Sequence, residues 1–278
     1  MDYGRPIQFG YFILPDATEP LRALEQAVRA DDAGIDMIGI QDHPYQHRFH
    51  DTFTLLAAIA GRTKRVTLFP DVANLPLRPP AMLAKASASL DLLSSGRFEL
   101  GLGAGGFWPA IKAMGGPART AGEAVSALEE AIQVIRLVWS GGRGLRFDGH
   151  FYQLAGLNAG PPPAHPIGIW VGAYKPRMLA LTGRLADGWV PSLGYLKPED
   201  IVEAGARIDD AARAAGRDPS AIRRILNVGG GLTAEDFATL ALEHGFDTFM
   251  VSPDAGDAFI QEVVPNVREM VAEARESH

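Results

Sequence analysis

One residue past the short apolar run Met37-Ile38-Gly39-Ile40 and Gln41 stands the pair Asp42-His43. A carboxylate beside an imidazole supplies a fixed charge and a proton switch that works near neutral pH. His47, His50 and Asp51 follow closely. On a helix this spacing would put three imidazoles on one face, where they could ligate a metal. Pro44 and the polar, aromatic filling point instead to a loop, and His43 alone is the candidate catalytic residue.

Two glycine-rich stretches extend the set. Gly101-Leu102-Gly103-Ala104-Gly105-Gly106 fits G-x-G-x-x-G literally. The dinucleotide fingerprint needs a helix to start at once after a first strand. Here Phe107-Trp108-Pro109 follows, and the long helix waits until about Gly122. The run reads as backbone brought close to a flat ring or a phosphate, with Phe107 and Trp108 as walls; the plainer alternative is a turn easing a tight corner. Gly172-Ala173-Tyr174 precedes Lys175-Pro176, a helix start whose free N–H groups suit a phosphate. Arg177 either adds a charge-assisted contact there or is solvated. The run from Phe69 to Pro76 reads either as a plain proline-bounded loop or as one whose backbone and Asn74 would line a cofactor. Glu99 interrupts an apolar run and receives no role.

Elements that would position these residues alternate along the chain. Strands are expected over 7–13, 37–40, 66–69, 98–102, 167–171, 188–191, 224–228 and 248–252. Helices are expected over 19–33, 53–62, 80–93, 122–139, 176–185, 198–215, 234–243 and 257–275. Val125, Leu128, Ile132, Ile135 and Val138 repeat at helical spacing. The stretch 141–166 is rich in Gly and Pro, and Asp148-Gly149 between 145–147 and 151–153 signals a hairpin turn. Eight strand–helix units predict an α/β fold, a (β/α)8 barrel of one domain over 1–278, with a hairpin-like insertion between the fourth and fifth units. A doubly wound open sheet is the rival, disfavoured by the count of eight. Barrel chemistry sits at the C-terminal strand ends, where the residues above fall.

Bulk properties narrow the classes. Hydrophobic content of 47% is ample for a core. Net charge of −7 argues against a general nucleic-acid or anionic-membrane binder. The absence of cysteine excludes disulfides, thiolate nucleophiles and Cys-bound metal. No apolar run approaches the roughly 20 residues of a membrane span, and 1–8 lacks a signal-peptide layout. A cytoplasmic location is expected. Without cysteine or a convincing metal set, redox chemistry must come from a bound cofactor.

The run from Ser94 to Gly105, SSGRFELGLGAG, resembles the hallmark of the luciferase-like monooxygenase superfamily. The segment from Phe107-Trp108 through Met114-Gly115-Gly116 to Ile132 is similar to its coenzyme F420-dependent branch, as are Asp42-His43, Leu77-Arg78-Pro79-Pro80 and Ile169-Trp170-Val171-Gly172-Ala173. The resemblance implies a barrel holding the deazaflavin F420, or FMN as the alternative, at its C-terminal face. It implies that Asp42 contacts the cofactor and that His43 is a proton donor or base. It implies a non-proline cis peptide at Asp71-Val72 backing the ring, Gly103, Ala104, Gly105 and Gly106 along the ring or chain, and Gly172, Ala173 and Tyr174 at the phosphate. It further implies a homodimer acting on a small molecule. Two departures stand out. F420-dependent sugar-phosphate dehydrogenases carry a Glu in the glycine loop where this chain has Gly106, and their basic phosphate-binding residues find no counterpart. Similar proteins also carry more chain where Asn227-Val228-Gly229-Gly230-Gly231 leads to the next helix.

The expected function is therefore hydride transfer between F420 and a small organic molecule, either reducing an activated double bond or imine or oxidising an alcohol. The alternatives are an FMN-dependent monooxygenase, a metal-dependent barrel hydrolase using the histidines, and a cofactor-binding protein without catalysis.

Overall fold

Residues 1–277 are described by a computed structural model. Strands β1 (Gln8–Ile13), β2 (Met37–Ile40), β3 (Thr67–Pro70), β4 (Ala73–Asn74), β5 (Leu100–Gly103), β8 (Ile169–Val171), β9 (Gly188–Trp189), β10 (Arg223–Asn227) and β11 (Thr248–Val251) lie parallel in the order β3-β2-β1-β11-β10-β9-β8-β5-β4. The antiparallel pair β6 (Leu145–Asp148) and β7 (Gln153–Leu157) stands apart. β3 and β4 are two halves of one stave, interrupted at Asp71-Val72, where the peptide bond is cis. A parallel bridge between Leu68 and Phe98 joins that stave to the residues entering β5, so the sheet closes and the open-sheet rival fails. The chain therefore forms the barrel its alternation predicts.

Helices α1 (Arg22–Ala33), α2 (Thr52–Ala60), α3 (Pro80–Ser94), α4 (Trp108–Ala113), α5 (Ala121–Trp139), α6 (Pro176–Leu185), α7 (Ile201–Ala214), α8 (Ala234–Leu242), α9 (Gly256–Ala258) and α10 (Val264–Glu276) connect the staves. Their ends follow local chemistry. Thr120 and Glu123 form a capping box that opens α5. Gly34 takes the left-handed conformation that closes α1 and donates to the carbonyls of Ala30 and Asp31. The last helical stretch, expected to be continuous, passes through a π-helical segment at Phe259–Val263. The six-residue α4 was not foreseen; Pro109 in its first turn suits a helix start.

Two cores hold the layers. The larger packs the helices' apolar faces onto the strands' outer sides. The smaller fills the bore with Met37, Phe69, Trp170, Val190, Ile225 and Met250. Gly10 is required in the bore, because a Cβ there would lie 2.5 Å from Met250 Sδ and 2.6 Å from Met37 Cγ. The opposite, N-terminal face carries structural ion pairs. Arg224 and Asp209, both buried, meet at 2.5 Å, and the Tyr3 hydroxyl donates to Asp209.

The insertion lies between the fourth and fifth staves as expected, with its turn displaced. Asp148 pairs with Gln153, so four residues, 149–152, form the loop in place of a two-residue Asp-Gly turn. The cause is Glu130 on α5. Its carboxylate accepts the N–H groups of His150, Phe151 and Tyr152 at 2.9, 2.8 and 3.1 Å, which removes them from strand pairing. Among the described residues no helix is long and apolar enough to cross a membrane.

Candidate active site

The break in the third stave forms the bed of the site. Val72 bulges toward β5, and glycine stands wherever a side chain would strike the bulge. A Cβ at Gly101 would lie 2.1 Å from the Pro70 carbonyl oxygen, and one at Gly103 2.7 Å from Val72 Cγ2. The glycine-rich strand end thus has a packing reason, and it leaves Val72 as a half-buried apolar surface. Past it, Ala104 is half-buried and Gly105 fits closely under Pro76. Gly106 is exposed with nothing within 4 Å of a Cβ, so space does not forbid a side chain there.

Asp42 fixes the bed from the neighbouring strand. Its buried carboxylate accepts Asn74 N–H at 2.8 Å, Arg78 Nε at 2.7 Å and Arg78 Nη2 at 2.8 Å. This bidentate fork is the strong form of an ion pair. Arg78 also donates to Asp51, the N-cap of α2, and lies over the Phe53 ring. Burial works against the guanidinium's charge, yet the two carboxylates raise its affinity for the proton further. Asn74 Oδ1 is left buried without a partner.

His43 projects beside this clamp. Its half-buried ring stacks on Tyr45 at 5.3 Å and meets Phe107 edge-on at 5.3 Å. Burial lowers its affinity for the proton below the ordinary histidine value of 6.5, with Asp42 opposing, so the ring is neutral at pH 7. The Tyr45 hydroxyl is buried with no partner, and burial together with the Asp42 charge pushes it up to about 12.

Asp71 points into the barrel. Its Oδ1 accepts Asn227 Nδ2 at 3.1 Å, while its Oδ2 is buried without a partner. Burial raises this carboxyl to about 7, against the Asn227 hydrogen bond. Asn227 Nδ2 also reaches Ser192 Oγ at 3.3 Å, and Ser192 N–H donates to the Tyr174 hydroxyl at 3.0 Å. Asn227 and Ser192 line a cavity of about 560 Å3 at the C-terminal ends of β1, β9, β10 and β11. Ala173 accepts from Trp189 Nε1 at 2.9 Å, and Gly172 N–H reaches the Leu102 carbonyl at 3.4 Å. Arg177 is spent on α5, where it donates to the Gly122 carbonyl and Ser126 Oγ.

His47 and His50 do not join His43. His50 Nε2 contacts the Pro20 carbonyl at 3.2 Å, and His47 is exposed. Among the described residues no group of three or more His, Asp or Glu could hold a metal ion. Arg78, Tyr45, Ser192 and Asn227 received no role from the sequence. Tyr45, Arg78 and Asn227 stood in stretches already singled out, and none carried a signal of its role.

The histidine and the glycine-edged apolar bed thus lie together at the C-terminal mouth of a parallel barrel, where barrel enzymes carry their active sites. The luciferase-like monooxygenase family profile matches residues 7–229, and the chain belongs to that family. It is 31% identical over 245 residues to a protein of Gordonia bronchialis named F420-dependent glucose-6-phosphate dehydrogenase, covering 81% of this chain and 68% of that one. Its fold matches an F420-dependent secondary alcohol dehydrogenase solved with an F420–acetone adduct, at a TM-score of 0.83 and 19% identity over 95% of this chain and 99% of that one. It also matches a riboflavin lyase solved with a modified FMN and riboflavin, at a TM-score of 0.78 and 15% identity over 95% and 92%.

Proposed function

We propose that the protein is an F420-dependent oxidoreductase acting on a small organic molecule. The observation that carries this is the Val72 bed with His43 at its side. The 31% identity to a relative named for F420 supports it. The residues present fit a deazaflavin. Val72 gives an apolar surface for a ring face. The orphaned Asn74 Oδ1 and Tyr45 hydroxyl offer an acceptor and a donor for its polar edge. Gly103, Ala104, Gly105 and Gly106 leave backbone free along the ring, and Gly172, Ala173 and Tyr174 lead to the start of α6, which suits a phosphate. Asp42 serves the same bed by locking Asn74 and Arg78 in place. A bound deazaflavin supplies the two-electron hydride exchange. The imidazole of His43, neutral at pH 7, takes the companion proton when an alcohol is oxidised and returns it in the reverse direction.

The metal-hydrolase alternative loses its ligand set, since the three histidines serve separately. The FMN alternative is decided by titrating the purified protein with F420 and, separately, FMN, followed by fluorescence. Micromolar or tighter F420 binding with weak FMN binding is expected; the reverse preference would move the protein to the flavin monooxygenases, and binding of neither would remove this reading.

We also propose a homodimer in the cytoplasm, with no nucleic-acid or membrane partner. Met82, Leu92 and Leu93 on α3 are 63%, 43% and 76% exposed, an apolar surface that a second copy would cover.

A further inference from the structure

An imidazole that moves a proton is ordinarily aimed by a hydrogen bond at its second ring nitrogen, which also fixes the tautomer. His43 lacks that bond. His165 and His50 have ring nitrogens in hydrogen bonds, to Asp91 and to the Pro20 carbonyl, while among the described residues nothing meets the ring nitrogens of His43. The adjacent Asp42 carboxylate is committed to Asn74 N–H and the Arg78 fork. Neither His43 nitrogen is one of the buried atoms left without a partner, so both open onto accessible space.

Two rings hold it instead. Tyr45 stacks on the imidazole with centroids 5.3 Å apart and planes 22° off parallel. Phe107, on the glycine loop just before α4, meets it at 5.3 Å and 69°, and reaches Tyr45 at 6.0 Å. Stacked and edge-on contacts are the two geometries that ring quadrupoles favour. Phe107 is 53% exposed and belongs to neither core, so packing of the barrel does not account for its place. A quarter-turn of the imidazole about its Cβ–Cγ bond would break both contacts.

We propose that Tyr45 and Phe107 are positioning residues for His43, aiming its imidazole by face and edge in place of a hydrogen bond. The inference rests on the reading of His43 as the proton carrier. The rings fix where the imidazole lies and leave its tautomer open. Either nitrogen can then accept the proton of an alcohol and the other release one to water, with no protein hydrogen bond broken in the exchange. The clamp also sets basicity. Rings that shield an imidazole from water disfavour its charged form, and burial is the larger influence on His43, with Asp42 opposing.

The test is histidine side-chain NMR of the full chain without cofactor, across the pH range in which imidazoles titrate, His43 being assigned by its loss in His43→Gln. In the parent protein its Cε1–H resonance is expected upfield of an exposed histidine's, with both tautomers populated. Phe107→Ala, a change outside both cores, is expected to move that resonance downfield and to raise the titration midpoint toward the ordinary 6.5. Phe107→Tyr should restore both. With F420 bound and cyclohexanol as substrate, Phe107→Ala should lower kcat about tenfold, as a misplaced base does, with F420 affinity unchanged. A His43 signal and midpoint that do not respond to Phe107→Ala overturn the proposal. So does a single fixed tautomer in the parent, which a hydrogen bond would impose, and so does undiminished turnover in an active Phe107→Ala enzyme. If F420 fails to bind, or cyclohexanol is not oxidised, while the ring signals respond as expected, the oxidoreductase reading loses its support and the clamp on His43 stands.

Discussion

Burial acts with opposite sign on two titratable groups of the site, His43 and Asp71. It lowers the affinity of the His43 imidazole for its proton and raises the Asp71 carboxyl to about 7. The first effect leaves a neutral base at working pH. His43→Ala should lower kcat by about 10²–10³-fold, the range of a lost general base, while F420 affinity changes little. Stopped-flow turnover beside the fluorescence titration checks this; unchanged turnover would remove His43 from the chemistry. The second effect is a statement about stability. A group raised in the folded state stabilises most below its unfolded value, and that contribution is lost as pH rises through about 7. Asp71→Asn does not titrate. Its Tm relative to the parent should therefore be higher at pH 8 than at pH 5, by about 2 °C or more. Equal differences at both pH values would show that Asp71 is ionised in the folded protein throughout. His43 contributes the opposite slope, losing stability as pH falls below 6.5. Asp42-His43 was legible in the sequence because the two residues are adjacent and follow a strand. The partners were not. Asp71 meets Asn227 across 156 residues, and Asp42 meets Arg78 across 36, with nothing local to announce either bond.

At the scale of elements, the end of β2 and the start of α3 are tied through Arg78. Arg78→Ala leaves the buried Asp42 charge without its partner and should cost about 3 kcal/mol, read as a lower urea midpoint at unchanged slope. Arg78→Lys should recover only part of this, because an ammonium cannot make the bidentate fork. Full recovery would mean that charge alone matters at that position. The hairpin shows how element reading goes astray. Asp148-Gly149 is a sound turn signal by itself, but Glu130, on a helix closed nine residues earlier, claims the next three backbone donors and lengthens the loop. Helix ends fared better. α6 runs over 176–185 as its proline start predicts, because caps and prolines act locally.

At the scale of the molecule, the alternation of apolar runs and helical stretches carried the architecture, and the count of eight anticipated closure. What the count cannot show is where the ring is weakest. β9 has two residues and the third stave is broken, so both irregularities fall among the strands whose ends build the site. Assembly is a separate question. If α3 meets a second copy, sedimentation should give roughly twice the chain mass of 29.8 kDa, and Leu93→Asp should return it to the monomer. A monomeric parent protein would remove the dimer.

The open space beside Gly106 has a consequence for how such a protein can change over generations. Most positions around the bed are constrained by their neighbours, so altering one obliges others to follow. Position 106 answers to no neighbour within 4 Å, and its glycine is not one of those held at positive φ. A single codon change there can add an acid, a base or bulk at the mouth while the barrel beneath keeps its stability. The repertoire of reactions open to a lineage of this fold is thereby uncoupled, at one site, from the inheritance of its shape.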